Sequence, residues 1–176
     1  MILALTGYSK VGKTELAKTM QDYERVSFAD VLKMEVTRIL ELNDIHTDLW
    51  SRDKEEWRWL LVGWGRMRRE QDRDYWIKQL YLRMAPIKEQ SWVIDDLRYP
   101  NELNWVQKHG GLVVGITRDG YPAANDEEKT SIKQIRIMHP DLTWIHNDGS
   151  VREMEIALRG AIRGFHTDRI NKGVSL

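Results

Sequence analysis

Short apolar runs alternate along this chain with stretches of helical period. Ile2-Leu3-Ala4-Leu5-Thr6 is a continuous apolar run, the pattern of a strand buried on both faces. Lys13 to Tyr23 is expected to be helical, Arg25 to Phe28 a short second strand, and Ala29 to Leu42 a helix with Leu32, Val36, Ile39 and Leu40 on one face. A further helical stretch surrounds Trp57, Leu60, Leu61 and Trp64. The polar run from Arg66 to Asp74 should interrupt it before Tyr75 to Met84 resumes the period. Trp92-Val93-Ile94 predicts a buried strand ending in Asp95-Asp96, and Pro100 opens a short helix to His109. Gly111 to Thr117 and Leu142 to His146 are the last two expected strands. Between them, Arg118 to His139 is polar with little period, long enough for a mobile lid. Ser150-Val151-Arg152-Glu153 has the spacing of a capping box, and the helix it opens carries Val151, Met154, Leu158 and Ile162. The tail from 166 to 176 reads as frayed.

Strands alternating with helices predict an α/β fold, a parallel sheet covered by helices on both faces. Ligands of such sheets bind beyond the carboxyl ends of the strands. The strand-end residues are Gly7 to Thr14, Asp30, Asp95 to Arg98, Arg118 and Asn147 to Gly149, all expected on one edge.

The first of these segments is the most specific. Gly7-Tyr8-Ser9-Lys10-Val11-Gly12-Lys13-Thr14 has the glycine, glycine-lysine and hydroxyl spacing of a phosphate-cradling loop, set between a strand and a helix. Glycines let successive N–H groups turn inward around an anion, and the helix N-terminus adds partial positive charge. Lys13 can reach the β- and γ-phosphates of a nucleotide, and the Thr14 hydroxyl can hold Mg²⁺. Asp95-Asp96 resembles the acidic group that completes the Mg²⁺ shell in such sites. Strand alternation sends the two carboxylates to opposite sides, so one of them serves the metal. Arginines are placed to clamp phosphate oxygens and offset charge developing in a transition state: Arg98 two residues past the acid, Arg66, Arg68 and Arg69 clustered between helices, Arg118 at a strand end and Arg136 in the lid-like stretch.

Composition narrows the classes. Lys plus Arg and Asp plus Glu number 27 each, so no global field draws the chain to nucleic acid or a membrane surface. No cysteine is present, which excludes disulfides and thiolate metal sites and suits a reducing compartment. No apolar run approaches membrane-spanning length, and the loop begins too early to leave room for a cleavable leader, so a cytoplasmic protein is expected. Of the eight tryptophans, four lie between 50 and 64. They are core and pocket wall, unless one of them stacks on a nucleobase. The five histidines show no close metal-ligand spacing.

The ordered series of motifs resembles the phage-type deoxynucleoside monophosphate kinases. It comprises the phosphate loop, Ser27-Phe28-Ala29-Asp30-Val31-Leu32-Lys33, Gly65 through Tyr75-Trp76, Val93 through Glu102, Thr117-Arg118-Asp119-Gly120, and Ile145 through Ser150. The resemblance runs from Leu3 to about Ile162. It implies a three-layer, P-loop nucleoside monophosphate kinase-like fold with a five-stranded parallel core. One kinase domain would span 1–165, with a helical monophosphate-binding insertion at about 30–84 and a lid at about 119–139. It implies transfer of the ATP γ-phosphoryl to a deoxynucleoside monophosphate in the cytoplasm, the host's if the gene is a phage's.

On this resemblance Gly7, Ser9, Lys10, Val11, Gly12, Lys13 and Thr14 hold ATP, and Thr14 and Asp96, the latter through water, hold Mg²⁺. Asp96 and Arg98 stand at the substrate edge, and Arg68 or Arg69 grips the acceptor phosphate. Asp30, Lys33, Trp64, Arg66 and Trp76 border the substrate. Arg118, Asn147, Asp148 and Gly149 lie by the nucleotide, and Arg136 is a lid arginine. The partner is a small molecule, with neither nucleic acid nor membrane involved and with room for a homodimer. Val31, Arg66 and Asp126-Glu127-Glu128-Lys129 depart from the family pattern; these touch base preference and lid chemistry, not the ATP half. Alternatives are another small-molecule kinase, such as one acting on dephospho-coenzyme A, or a nucleic-acid-linked ATPase or nucleotide switch.

Overall fold

The computed structural model describes residues 1–87, 89–171 and 173, apart from the side chains at 52 and 53. It divides into two compact units, Met1–Arg25 with Glu89–Leu176, and Val26–Lys88.

The first unit is built on a five-stranded sheet, β1 (Ile2–Thr6), β2 (Glu24–Val26), β3 (Trp92–Leu97), β4 (Leu112–Thr117) and β5 (Trp144–His146), in the order β2-β3-β1-β4-β5. β1 pairs in parallel with β3 (Leu3 opposite Val93) and with β4 (Thr6 opposite Gly115), and β4 with β5. The central strand is apolar up to its last residue because helices cover both of its faces: Leu3, Ala4, Leu5 and the closing Thr6 are fully buried. On one face, α1 (Lys13–Thr19) and α7 (Val151–Asn171) close a core of Leu3, Leu5, Leu16, Val114, Ile116, Met154 and Leu158. The other helices of the unit are α5 (Pro100–Lys108), burying Leu103 and Val106, and α6 (Asp126–Met138), burying Ile132 and Ile135. Gly115 is required by close packing: a Cβ there would lie 2.3 Å from the Trp144 ring. No helix among the described residues is long and apolar enough to cross a membrane.

The second unit packs α2 (Phe28–Glu41), α3 (Arg58–Gln71) and α4 (Tyr75–Met84) on one another. Val36, Leu40 and Leu49 form a core against which Leu32, Trp57, Leu60, Leu61 and Trp64 lie. Ser27 caps α2, its hydroxyl accepting the Asp30 N–H at 2.9 Å, which stabilises the helix start that the sequence signals.

Four expectations are corrected. The polar run from Arg66 does not break the helix: α3 continues to Gln71, because Arg, Met, Glu and Gln favour helix without apolar spacing. The break comes at Asp72, whose carboxylate accepts the Asp74 N–H at 3.1 Å. The stretch from 118 to 139 contains a regular helix, α6, whose buried face is Glu128, Ser131, Ile132 and Ile135. Two of those four are polar, so the helical period hides from a hydropathy reading. The helix α7 does not fray at 166: it runs to Asn171, and Arg169 Nη1 donates to the Gly110 carbonyl at 2.7 Å. Residues 172 and 174–176 lie outside the described residues. Finally, α1 stops at Thr19 rather than Tyr23, a turn at Met20 leading directly into β2.

Candidate functional site

The loop between β1 and α1 leaves the ordinary backbone region three times, with φ +135° at Gly7, +64° at Lys10 and +104° at Gly12. Only glycine adopts the first and last without strain. Space dictates glycine there as well: a Cβ on Gly7 would lie 2.2 Å from the Ile116 carbonyl oxygen, and one on Gly12 would lie 2.8 Å from Asn147 Nδ2.

Lys13 is buried at 8% exposure, and its ammonium donates to the carbonyls of Gly7 at 2.8 Å and Tyr8 at 2.6 Å. The loop's cation is thus docked on the loop's own oxygens. Burial, helped by the positive charge of Arg98, lowers its pKa to about 8, while Glu128, Asp96 and Asp95 act in the opposite direction. Asp96 and Arg98 thus lie within electrostatic range of Lys13, together with Asp95 and Glu128. The two aspartates divide as strand alternation requires. Asp95 is buried and paired with Arg25 Nη1 at 2.8 Å, whereas Asp96 is half-buried. Arg98 is exposed, and its backbone N–H is fixed at 2.8 Å by Glu102, which also accepts from the Tyr99 N–H at the start of α5.

Asn147 is a buried strut. Its Nδ2 donates to the Val11 carbonyl in the loop at 2.8 Å, and its N–H to the Thr117 carbonyl at 2.7 Å. That amide is committed to the loop rather than exposed to a base, whereas Asp148 and Gly149 beside it are exposed. Gly149 makes room for a cap: a Cβ would lie 2.2 Å from the Glu153 carboxylate that accepts from Ser150. Asn147→Ala should cost about 1–3 kcal/mol by stranding the Val11 carbonyl and should weaken ATP binding; urea denaturation and calorimetry measure the two effects.

Ser9 is half-buried, and Lys10 and Thr14 are exposed. The donor set suits a nucleotide-borne Mg²⁺, with one hydroxyl at Thr14 and one carboxylate at Asp96. Among the described residues no group of three or more His, Asp or Glu side chains forms a cation cage, and Mg²⁺ characteristically takes few protein ligands, with water and phosphate oxygens completing its shell. The two other arginines expected at the site in this unit lie over rings: Arg118 is 4.5 Å from the Tyr121 ring centre and Arg136 3.9 Å from that of Trp144.

The second unit holds the other expected residues. Asp30 is buried and accepts from Trp50 Nε1 at 2.9 Å, and Lys33 lies over the Trp50 ring at 5.6 Å. Arg68 donates through Nε and Nη2 to Glu35 Oε1 at 2.9 and 2.6 Å, and its guanidinium also contacts the rings of Trp64 and Tyr75. Arg69 reaches the Gly65 carbonyl at 3.4 Å, and Arg66 is exposed. Trp76, expected at the substrate, is instead core at 2% exposure, its indole N–H donating to Gly65 O at 3.1 Å. Of the tryptophans between 50 and 64, Trp57 and Trp64 pack against the core while Trp50 and Trp59 stay exposed.

Sequence reasoning missed Glu35 and Glu128. Nothing local marks Glu35, whose partners lie 29 to 40 residues away. Glu128 had a signal in Asn125-x-x-Glu128, a helix-start pattern. The Asn125 side chain accepts the Glu128 N–H, and Glu128 Oε2 accepts the Ala124 N–H at 2.7 Å, leaving Oε1 buried without a partner.

A strand, a glycine loop with a buried lysine and a helix, on a 2-3-1-4-5 parallel sheet, define a phosphate-loop kinase of small molecules. A family model described as phosphomevalonate kinase matches residues 5–111, more than half of the chain, and the chain belongs to that family. A gluconokinase from Sinorhizobium meliloti 1021 is similar in fold, with a TM-score of 0.51 and 12% identity over 96% of this chain and 93% of its own. Looser likenesses are a shikimate kinase from Aquifex aeolicus vf5, with a TM-score of 0.47 and 14% identity over 93% and 99%, and a dephospho-CoA kinase from Campylobacter jejuni, with 0.43 and 12% over 98% and 98%. No curated protein matches the chain.

Proposed function

We propose that the protein transfers the γ-phosphoryl group of ATP to a phosphate oxygen of a phosphomonoester, and that the acceptor is a deoxynucleoside monophosphate. The observation that carries this reading is Lys13, seated in its glycine nest and acted on by Asp96 and Arg98. An entering triphosphate offers the Lys13 ammonium anionic oxygens in place of the two carbonyls. Successive loop N–H groups would cradle the β-phosphate, and the Thr14 hydroxyl and, through water, Asp96 would hold Mg²⁺, which would supply charge neutralisation. Arg98 offsets charge on the transferring group. A phosphate acceptor is already anionic near neutral pH, so no general base is needed: positioning and charge compensation suffice. Arg68 supports a phosphorylated acceptor, and the ordered series of motifs from Leu3 to Ile162 supports a deoxynucleotide.

The family match favours a second reading, phosphomevalonate as the acceptor. It shares the chemistry, since that compound is also a phosphomonoester. An ADP-release assay over the four deoxynucleoside monophosphates, their ribo counterparts, phosphomevalonate and dephospho-coenzyme A separates these. ADP release with one or more deoxynucleotides is the expected result. Release with phosphomevalonate alone selects the second reading, and DNA-dependent hydrolysis without any acceptor product overturns both. Arg98→Ala should lower kcat/KM for the acceptor by roughly 10²-fold or more with native circular dichroism; full turnover by the variant would remove Arg98 from the mechanism.

A further inference from the structure

We infer that Glu35 is the positioning residue for the acceptor's phosphate, holding Arg68 so that the outer edge of its guanidinium is presented to a phosphomonoester; this rests on the reading above. One carboxylate gathers three side chains. Glu35 Oε1 accepts from Trp64 Nε1 at 3.0 Å, Arg68 Nε at 2.9 Å and Arg68 Nη2 at 2.6 Å, and Oε2 accepts from the Tyr75 hydroxyl at 2.8 Å. The guanidinium carbon lies 4.9 Å from the Trp64 ring centre and 4.8 Å from that of Tyr75, so two aromatic rings contact the cation. The same two rings are thereby tied to the carboxylate that holds the cation.

The form of the pair is informative. The strongest arginine–carboxylate pairs set two nitrogens against two oxygens. Here Arg68 gives its Nε side to a single oxygen, and Tyr75 occupies the other. Of the five N–H groups of a guanidinium, two are spent on Glu35. The remaining three, on the Nη1 and Nη2 end, have no protein partner among the described residues. The Arg68 side chain keeps 30% of its surface exposed and Glu35 keeps 21%. An arginine locked on one edge and open on the other has already met the ordering cost of gripping a planar pair of phosphate oxygens.

The test is a kinetic cycle on the full chain with whichever phosphomonoester it phosphorylates. Glu35→Gln keeps size and one carbonyl oxygen but loses the charge. It should raise the acceptor KM about tenfold or more while leaving the ATP KM unchanged. In an Arg68→Met background the same change should do almost nothing, because the residue acts through Arg68. Tyr75→Phe removes only the hydroxyl at Oε2 and should give a smaller, likewise nested rise, which keeps the cycle readable if Glu35→Gln fails to fold. An unchanged acceptor KM, an equal rise in both KM values, or effects that multiply with Arg68→Met would each overturn the inference. A wild type that phosphorylates no phosphomonoester overturns the functional reading and this inference together.

Discussion

Lys13→Met should lower kcat by roughly 10²–10³-fold, the scale of removing one preorganised charge from a transition state, and should weaken ATP binding while leaving it measurable by calorimetry. The ammonium is the loop's only side chain donating to both the Gly7 and Tyr8 carbonyls, and it is buried. Its pKa near 8 makes two further effects measurable. In the free protein the group is about half deprotonated near pH 8 and mostly neutral at pH 9, whereas a bound triphosphate favours the charged form. ATP binding at pH 8 to 9 should therefore take up protons, seen as a dependence of calorimetric heat on buffer ionisation enthalpy; Lys13→Met should abolish that dependence.

Stability follows the opposite sign from a paired lysine. The folded pKa lies below the unfolded value of 10.5, so between pH 8 and 10.5 the unfolded chain binds more protons, and stability rises with pH through this window. Below pH 8 the buried charge costs the fold about 3 kcal/mol at most. Relative to Lys13→Met, wild type should gain stability from pH 8 to 10 in urea titrations. A flat difference across that range would show that the ammonium is not buried in solution.

Gly7→Ala should be the most damaging single methyl in the chain. The new Cβ would sit 2.2 Å from a backbone oxygen of β4, which no side-chain rotamer relieves, at a φ of +135°. A loss of roughly 2–4 kcal/mol is expected, with ATP affinity lost alongside because the loop must move to admit the methyl. Gly120→Ala is the matched control: its φ is also positive, at +77°, but nothing lies within 4 Å of the added carbon. It should cost only about 1 kcal/mol. Equal thermal shifts for the two would refute the clash.

What the sequence made legible was whatever is encoded locally. The apolar run before Gly7, the loop spacing, the Ser27 cap and the Ser150 to Glu153 box each involve residues a few positions apart, and the structure realises each of them. Alternation also separated Asp95 from Asp96, and the Arg25 pair shows what the buried one does. What was hidden depends on partners far along the chain. The partner of Arg68 stays hidden until α2 supplies Glu35. The helix α6 is disguised because half of its buried face is Glu128 and Ser131. Trp76 looks like a ligand-facing aromatic until its indole is seen buried on the Gly65 carbonyl.

The strut at Asn147 has a consequence for how nucleotide occupancy is felt elsewhere. Val11 hangs from its amide, and Gly12 abuts both Asn147 and Met154 of the carboxyl-terminal helix. The nest and the first turn of that helix are therefore in direct contact. A ligand that reshapes the cradle therefore presses on Met154, in the first turn of α7, and so reaches a helix far along the chain from the loop.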